Sequence, residues 1–271
     1  EIRLSLVGSE MCIRDSLSTT WRPRPCPSPP SARIPLFWEY KDANTTFEQE
    51  VKDAYLDDLR NLWDLYTNST VDAKMLSTKT YEDTTAEFST GKVAFYQNGV
   101  WAYTQIKGND VADEDLGMLP YFMGIDGEEE YGPAAVYDAN WAINKNASDK
   151  DKKASLDFIK WIVSSDTGKK TLAKEMGFAV PFTTFGDDEQ PDNPLVAAAK
   201  VWSDDKGKKT VYSANIPGQQ WMDNISNALV EYTQGTGRWD AVTDAFAKSW
   251  KTEWTAYKDS TGMLPPSDKL E

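Results

Sequence analysis

Apolar positions along the chain fall into two kinds of spacing. From Phe47 to Tyr66 the residues Phe47, Val51, Tyr55, Leu59, Leu62, Trp63 and Tyr66 recur at helical spacing, which predicts an amphipathic helix facing a core. Glu82 to Phe88 predicts a short helix ending near Gly91, and Trp101 to Ile106 a second one. Short apolar runs bounded by turn residues predict strands over Ile34–Trp38, Lys92–Gln97 and Leu116–Pro120. Gly124 to Gly132 reads as a solvated loop, and Val136 to Ile143 as an extended segment. Ser148 with Asp151 forms a capping pattern ahead of Ala154, Leu156, Phe158, Ile159, Ile162 and Val163, a helix apolar around much of its circumference. A further helix runs from Asp166 to Gly177, a turn-rich stretch covers Phe178 to Phe185, and Asp187 to Pro194 reads as an acidic loop. Two helices close the chain, marked by Trp221, Ile225, Leu229 and Tyr232 and then by Trp239, Val242, Phe246, Trp250 and Tyr257, with Gly235-Thr236-Gly237 between them. Short strands among longer helices predict an α/β architecture.

The first residues stand apart from this pattern. Glu1 to Ser16 contains GSEMCIRD, which resembles a translated sequencing-adapter more than a protein segment, and Leu17 onwards is rich in proline, serine and arginine without apolar periodicity. Residues 1–34 are therefore read as an artefactual or disordered leader. Both cysteines, Cys12 and Cys26, lie in it, and the chain has no histidine. Beyond the leader this removes thiol nucleophiles, imidazole bases, disulfides and the usual zinc ligands together. The formal charge is −14, a field that repels phosphate backbones and disfavours nucleic acid as a partner. Acidic clusters such as Glu128-Glu129-Glu130 and Asp187-Asp188-Glu189 lack the ligand order of a calcium loop and read as solvated surface. No metal or cofactor is expected.

Eleven tryptophans are more than a core of this size needs. Indole combines a flat apolar face with one N–H donor, which suits a ligand apolar on one side and hydroxylated at its edge. Trp101 follows Asn98-Gly99 at the end of an apolar run and lies outside any helical stripe, so it reads as a stacking platform. Asn98 either serves left-handed turn geometry or turns its amide to a ligand hydroxyl. Trp141 shares an extended segment with Ile143, a pattern that fits burial or stacking. Asp138 and Asn140 alternate with it and, with Tyr137, offer polar partners for vicinal hydroxyls. Trp221 follows Pro217 at a helix entry, where unpaired N–H groups face outward, yet it also heads the stripe Trp221, Ile225, Leu229 and so fits packing equally. Gln220 is its polar neighbour. Trp63, Trp161, Trp239, Trp250 and Trp254 lie on helical stretches and are expected in packing.

Three segments carry a resemblance: Gly91-Lys92 through Asn98-Gly99-Val100-Trp101, Tyr137-Asp138-Ala139-Asn140-Trp141 through Ser148, and Asn215-Ile216-Pro217-Gly218-Gln219-Gln220-Trp221. In order and spacing they resemble the extracellular solute-binding proteins of carbohydrate ABC transporters, the maltose-binding-protein-like family. The resemblance implies a two-lobe periplasmic-binding-protein type II fold of the α/β class, here incomplete, with most of the first lobe missing. It implies that residues 35–138 form a second-lobe segment, 139–212 an excursion into the first lobe, and 213–271 the second-lobe C-terminal helices. The implied function is that of a non-enzymatic monomer that closes on a carbohydrate ligand and presents it to ABC transporter permease subunits. The implied location is extracytoplasmic, either periplasmic or lipid-anchored on the outer face of the cytoplasmic membrane. Two other readings fit the composition: a glycoside hydrolase using paired carboxylates in a tryptophan-lined cleft, and a binding protein for a charged, non-sugar solute.

Overall fold

The computed structural model describes residues 33–40, 50–69, 75, 78–135, 141–178, 180, 182–212 and 216–262. Helices α1 (Arg33–Tyr40), α2 (Leu56–Asn68) and α3 (Tyr81–Ser89) open the chain. A 3-10 turn over Val100–Ala102 leads into α4 (Tyr103–Ile106), and β1 (Tyr131–Ala135) follows. Next come α5 (Asp149–Ser164), α6 (Asp166–Lys170) with a π-helical turn over Thr171–Glu175, α7 (Pro194–Asp204) and β2 (Lys209–Tyr212). Helices α8 (Gln219–Gln234) and α9 (Trp239–Thr261) complete it.

Local chemistry sets most of these boundaries. Thr80 caps α3 by accepting from the Asp83 N–H, and the Asp83 carboxylate accepts from the Thr80 N–H, so two end groups of the helix are satisfied reciprocally. The predicted capping residue Ser148 does start α5, accepting from the Asp151 N–H at 3.2 Å. Asn193 caps α7, with Pro194 at the first helical position, where its missing N–H costs nothing. Gly235 ends α8 in the left-handed conformation at φ 73°, open to glycine without steric cost.

The main core lies where α8 and α9 pack on α1 and α2. Leu36 and Trp38 from α1, Leu56 and Leu59 from α2, Trp221, Ile225 and Leu229 from α8, and Val242, Phe246 and Trp250 from α9 are all buried in it. Each such side chain contributes about 1.5–3 kcal/mol of transfer free energy. A second cluster joins Ala102, Tyr103, Ile106 and Leu195, with Phe88, Tyr96 and Met118 packed against it, and so ties α3, α4 and α7 together. A third holds Leu172, Ala173 and Phe185, with Ile162, Val163 and Val180 at its edge.

Strand content departs from the sequence expectation. Among the described residues there are two strands, β1 and β2, paired in parallel with Tyr131 opposite Lys209 and Ala134 opposite Val211. A parallel pair needs a long crossover, and here α5, α6 and α7 supply it. Residues 34–38, expected as a strand, form α1 instead: Pro35 is tolerated in a first helical turn, and the helix is covered on more than one side, with Ile34, Pro35, Leu36 and Trp38 all buried. Residues 92–97 form no regular strand: Phe95 makes an isolated bridge. The expected strand at 116–120 is absent too, and the Met118 carbonyl accepts from the Trp202 indole N–H at 2.8 Å in place of a strand partner. Helix α2 begins at Leu56, nine residues later than the apolar stripe suggests, although Val51 is still buried against the core. Strand β1 begins inside the stretch expected as loop, and α7 and β2 form where the apolar pattern predicts no element. The architecture is mostly helical with few strands. Among the described residues no helix is long and apolar enough to cross a membrane.

Helix α5 shows a second departure. Its sequence is amphipathic enough to bury a face, yet none of its residues is buried, and Leu156, Phe158 and Trp161 are exposed. Trp161 is thus on the surface rather than in packing, stacked on Phe158 with ring centroids 5.9 Å apart. Trp239, Trp250 and Trp254 are buried as expected of helical stripes, and Trp63 is half-buried with its N–H donating to Thr233 Oγ1 at 2.8 Å.

Candidate functional site

The turn before α4 is built from polar side chains that face one another. Thr85 Oγ1 of α3 lies 2.7 Å from Tyr96 Oη, and the Asn98 amide donates to that same phenol oxygen at 2.6 Å. The Asn98 side-chain Oδ1 accepts from the Gly99 N–H at 2.8 Å. No non-glycine residue among those described has a positive φ, and Gly99 sits at φ −106°, so the left-handed account of the Asn-Gly pair does not hold. Asn98 shapes the turn with its side chain instead, holding Tyr96 on one side and the Gly99 amide on the other.

Trp101 is displayed at the tip of this turn with 42% of its surface exposed. Its neighbours in sequence anchor it from below. Ala102, Tyr103 and Ile106 are buried in the second cluster, the Thr104 hydroxyl donates to the Trp101 carbonyl at 3.1 Å, and the buried Asn193 amide donates to the Val100 carbonyl at 2.8 Å. Asn193 therefore both caps α7 and fastens the 3-10 turn that carries Trp101. Tyr103, one residue beyond the turn, donates its hydroxyl to Asp113 at 2.7 Å, and burial together with that carboxylate pushes its pKa up to about 12.

The other expected site residues are placed as follows. Trp141 is 53% exposed and stacks on Phe182, with ring centroids 6.2 Å apart and planes at 20°. Phe182 in turn meets Phe185, which is buried in the third cluster, so a run of rings leads from the surface into that cluster. Trp221 is 0% exposed. Its N–H donates to the Phe246 carbonyl at 2.8 Å and its ring meets Trp250 edge-on at 5.2 Å, so of the two accounts its stripe allows, the geometry carries packing. Gln220 is exposed on the first turn of α8, its amide donating to Asn224 Oδ1 at 2.9 Å. Tyr137, Asp138 and Asn140 lie outside the described residues. The three tryptophans thus belong to three different neighbourhoods: Trp221 lies within the main core, Trp101 beside the second cluster and Trp141 on the way into the third.

Phe182 and Phe178 are exposed aromatic residues that sequence reasoning passed over. The signal for them was present as three phenylalanines at i, i+4 and i+7, Phe178, Phe182 and Phe185, the spacing of one helix face inside a stretch that its turn residues keep from being helical. Segment 176–178 approaches the Trp101 element, since a Cβ added at Gly177 would rest 3.8 Å from Thr104 Cγ2. The charged side chains of this region are mostly paired. Lys174 meets Asp192 at 2.8 Å, and that ammonium holds the Asp192 carboxyl below its ordinary range. Lys169 likewise pairs with Glu189 and lowers it. Among the described residues no group of three or more histidine, cysteine or acidic side chains is arranged to hold a metal ion.

An open aromatic face on a turn shaped by neutral hydrogen-bonding groups, as at Trp101, is of a kind that can hold a polar molecule. A family model described as bacterial extracellular solute-binding protein matches residues 34–198. Proteins of this kind have a periplasmic-binding-protein fold, work outside the cytoplasm, hold a substrate for ABC transport and meet the transporter's permeases; they are in general not enzymes. That match spans more than half of the chain and includes both the Trp101 turn and the Trp141 segment, and the protein belongs to the bacterial extracellular solute-binding protein family.

Proposed function

We propose that the solute this protein binds is a sugar or oligosaccharide, captured between two lobes and delivered to a membrane permease. The observation that carries the reading is Trp101: a rigid indole face, two-fifths open, on a turn shaped by the neutral side chains of Tyr96 and Asn98. The apolar C–H face of a pyranose stacks on indole, while its edge hydroxyls need amide and hydroxyl partners. A charged solute would require a desolvated counter-charge or a nest of N–H groups. Lys169 and Lys174, by contrast, are each engaged by a carboxylate. Trp141 stacked on Phe182 is the second platform in this reading, with Tyr137, Asp138 and Asn140 as its polar rim.

Isothermal titration with maltotriose, cellotriose, xylotriose and mannotriose, alongside spermidine and phosphate, tests it. Binding heat with at least one trisaccharide, lost or weakened at least about tenfold by Trp101→Ala, is the expected result. A response to spermidine or phosphate with none to any sugar overturns it. Chromatography of the same mixtures separates binding from hydrolysis, since shorter sugars accumulating in molar excess over protein would make the chain a glycoside hydrolase.

A further inference from the structure

Gly99 has a backbone that any residue adopts, at φ −106° and ψ 175°. Nothing about the turn itself calls for glycine there. What excludes a side chain is the Trp101 ring: a Cβ built on Gly99 would lie 2.2 Å from both Cη2 and Cζ3 of that indole and 2.5 Å from Cε3. All three belong to the six-membered ring, so the indole is folded back across its own turn and laid on the Gly99 backbone. One face of the ring is backed by Gly99, and the remaining 42% exposure is what is left for solvent or a ligand.

Three further contacts keep the backbone on either side of this pair in place. The Asn98 side-chain Oδ1 accepts from the Gly99 N–H, the Ala102 N–H donates to the Gly99 carbonyl at 3.0 Å, and the Asn193 side-chain amide donates to the Val100 carbonyl. With the backbone pinned before, at and after Gly99, the softest response to a methyl group at position 99 is rotation of the indole about its χ angles. Such a rotation costs little in fold stability, because the ring is on the surface, and it changes which way the platform faces.

We infer that Gly99 is a positioning residue for Trp101, its absent side chain being what lets the indole lie flat and offer a single face to the ligand. The link to ligand rests on the sugar reading given above, whereas the link to ring orientation stands on geometry alone.

The full chain labelled with 5-fluorotryptophan allows both links to be read separately by 19F NMR. The resonance of Trp101 is assigned by its disappearance in Trp101→Phe. Gly99→Ala is expected to shift that resonance while the other tryptophan resonances stay within their linewidths. Gly117→Ala, where an added Cβ meets no atom within 4 Å, is the matched control and is expected to shift none. For the trisaccharide that binds the unaltered protein, Gly99→Ala is expected to weaken affinity about five- to tenfold, the scale of a lost stacking contact. In the Trp101→Ala background the same Gly99→Ala change is expected to have no effect on affinity or on the thermal midpoint.

An unmoved Trp101 resonance in Gly99→Ala overturns the inference. So does a moved resonance with undiminished affinity in a protein whose binding Trp101→Ala abolishes. Should Gly99→Ala lower the thermal midpoint, the double variant decides: if the loss persists without the indole, the obstacle at position 99 is not Trp101 and the inference falls; if it vanishes, the clash with the ring is confirmed. If no sugar binds the unaltered chain, the sugar reading fails by itself, and the 19F shift alone sustains or sinks the positioning role.

Discussion

Single side chains decide whether an indole in this protein is structural or displayed. Trp221 and Trp101 both follow a glycine-containing turn at a helix entry, yet one is fully buried and the other two-fifths open. Trp221→Ala is expected to cost about 3–5 kcal/mol in urea unfolding, as for other large core truncations, while ligand affinity well below the unfolding midpoint stays within about twofold. Tyr103 offers a test by pH. Its folded pKa is raised from 10.0 to about 12, so between those values the folded state binds the proton that the unfolded chain has lost. Stability from this group is therefore complete below pH 10 and is lost as pH rises toward about 12. Urea midpoints measured across that window in the parent and in Tyr103→Phe should differ in slope, the parent falling more steeply.

Among the elements, α7 governs the candidate site although it carries no platform residue. Its cap Asn193 is buried and uses both ends of its amide, one on the Leu195 N–H at 3.0 Å and the other on the Val100 carbonyl. Asn193→Ala removes a helix cap and orphans a carbonyl of the Trp101 turn at once. A loss of about 1–3 kcal/mol is expected by chemical denaturation, together with weakened ligand binding measured by titration under folded conditions. Binding unchanged despite the lost stability would show that the turn holds itself without α7. Helix α5 makes a contrasting case at this scale. Its cap and length were legible from Ser148 and the spacing of apolar residues, but the same spacing predicted burial, and Leu156, Phe158 and Trp161 are exposed. Periodicity reports that a helix has an apolar face; it does not report what, if anything, lies against that face.

For the whole molecule the acidic balance of −14 acts as a diffuse repulsion opposing compaction. Added sodium chloride, from about 10 mM to 150 mM, shortens the screening length from about 30 Å to about 8 Å. The thermal midpoint is expected to rise over that range, with most of the gain at the low end, as read by circular dichroism. A midpoint that falls with salt would mean that attractive ion pairs outweigh the net repulsion. Pairs along the helix surfaces, such as Lys153 with Asp157 and Lys248 with Asp244, are exposed, and exposed pairs of this kind contribute less than about 1 kcal/mol each.

The positions of α5, α8 and α9, the Ser148 cap of α5, the absence of histidine and the local identity of the Trp101 turn follow from residues adjacent in the chain, because helix hydrogen bonds and caps close within four residues. Membership of the solute-binding family was legible for the same reason, its signals being short segments in a fixed order. Strands at 34–38, 92–97 and 116–120 were misread because a short apolar run does not choose between strand and helix until a partner backbone is or is not beside it. The fates of Trp101, Trp141 and Trp221 likewise rested on contacts with Gly99, Phe182 and Phe246, of which only Gly99 is near in sequence. Burial is a property of what the rest of the chain brings up against a residue, and so it was left to the tertiary structure to decide.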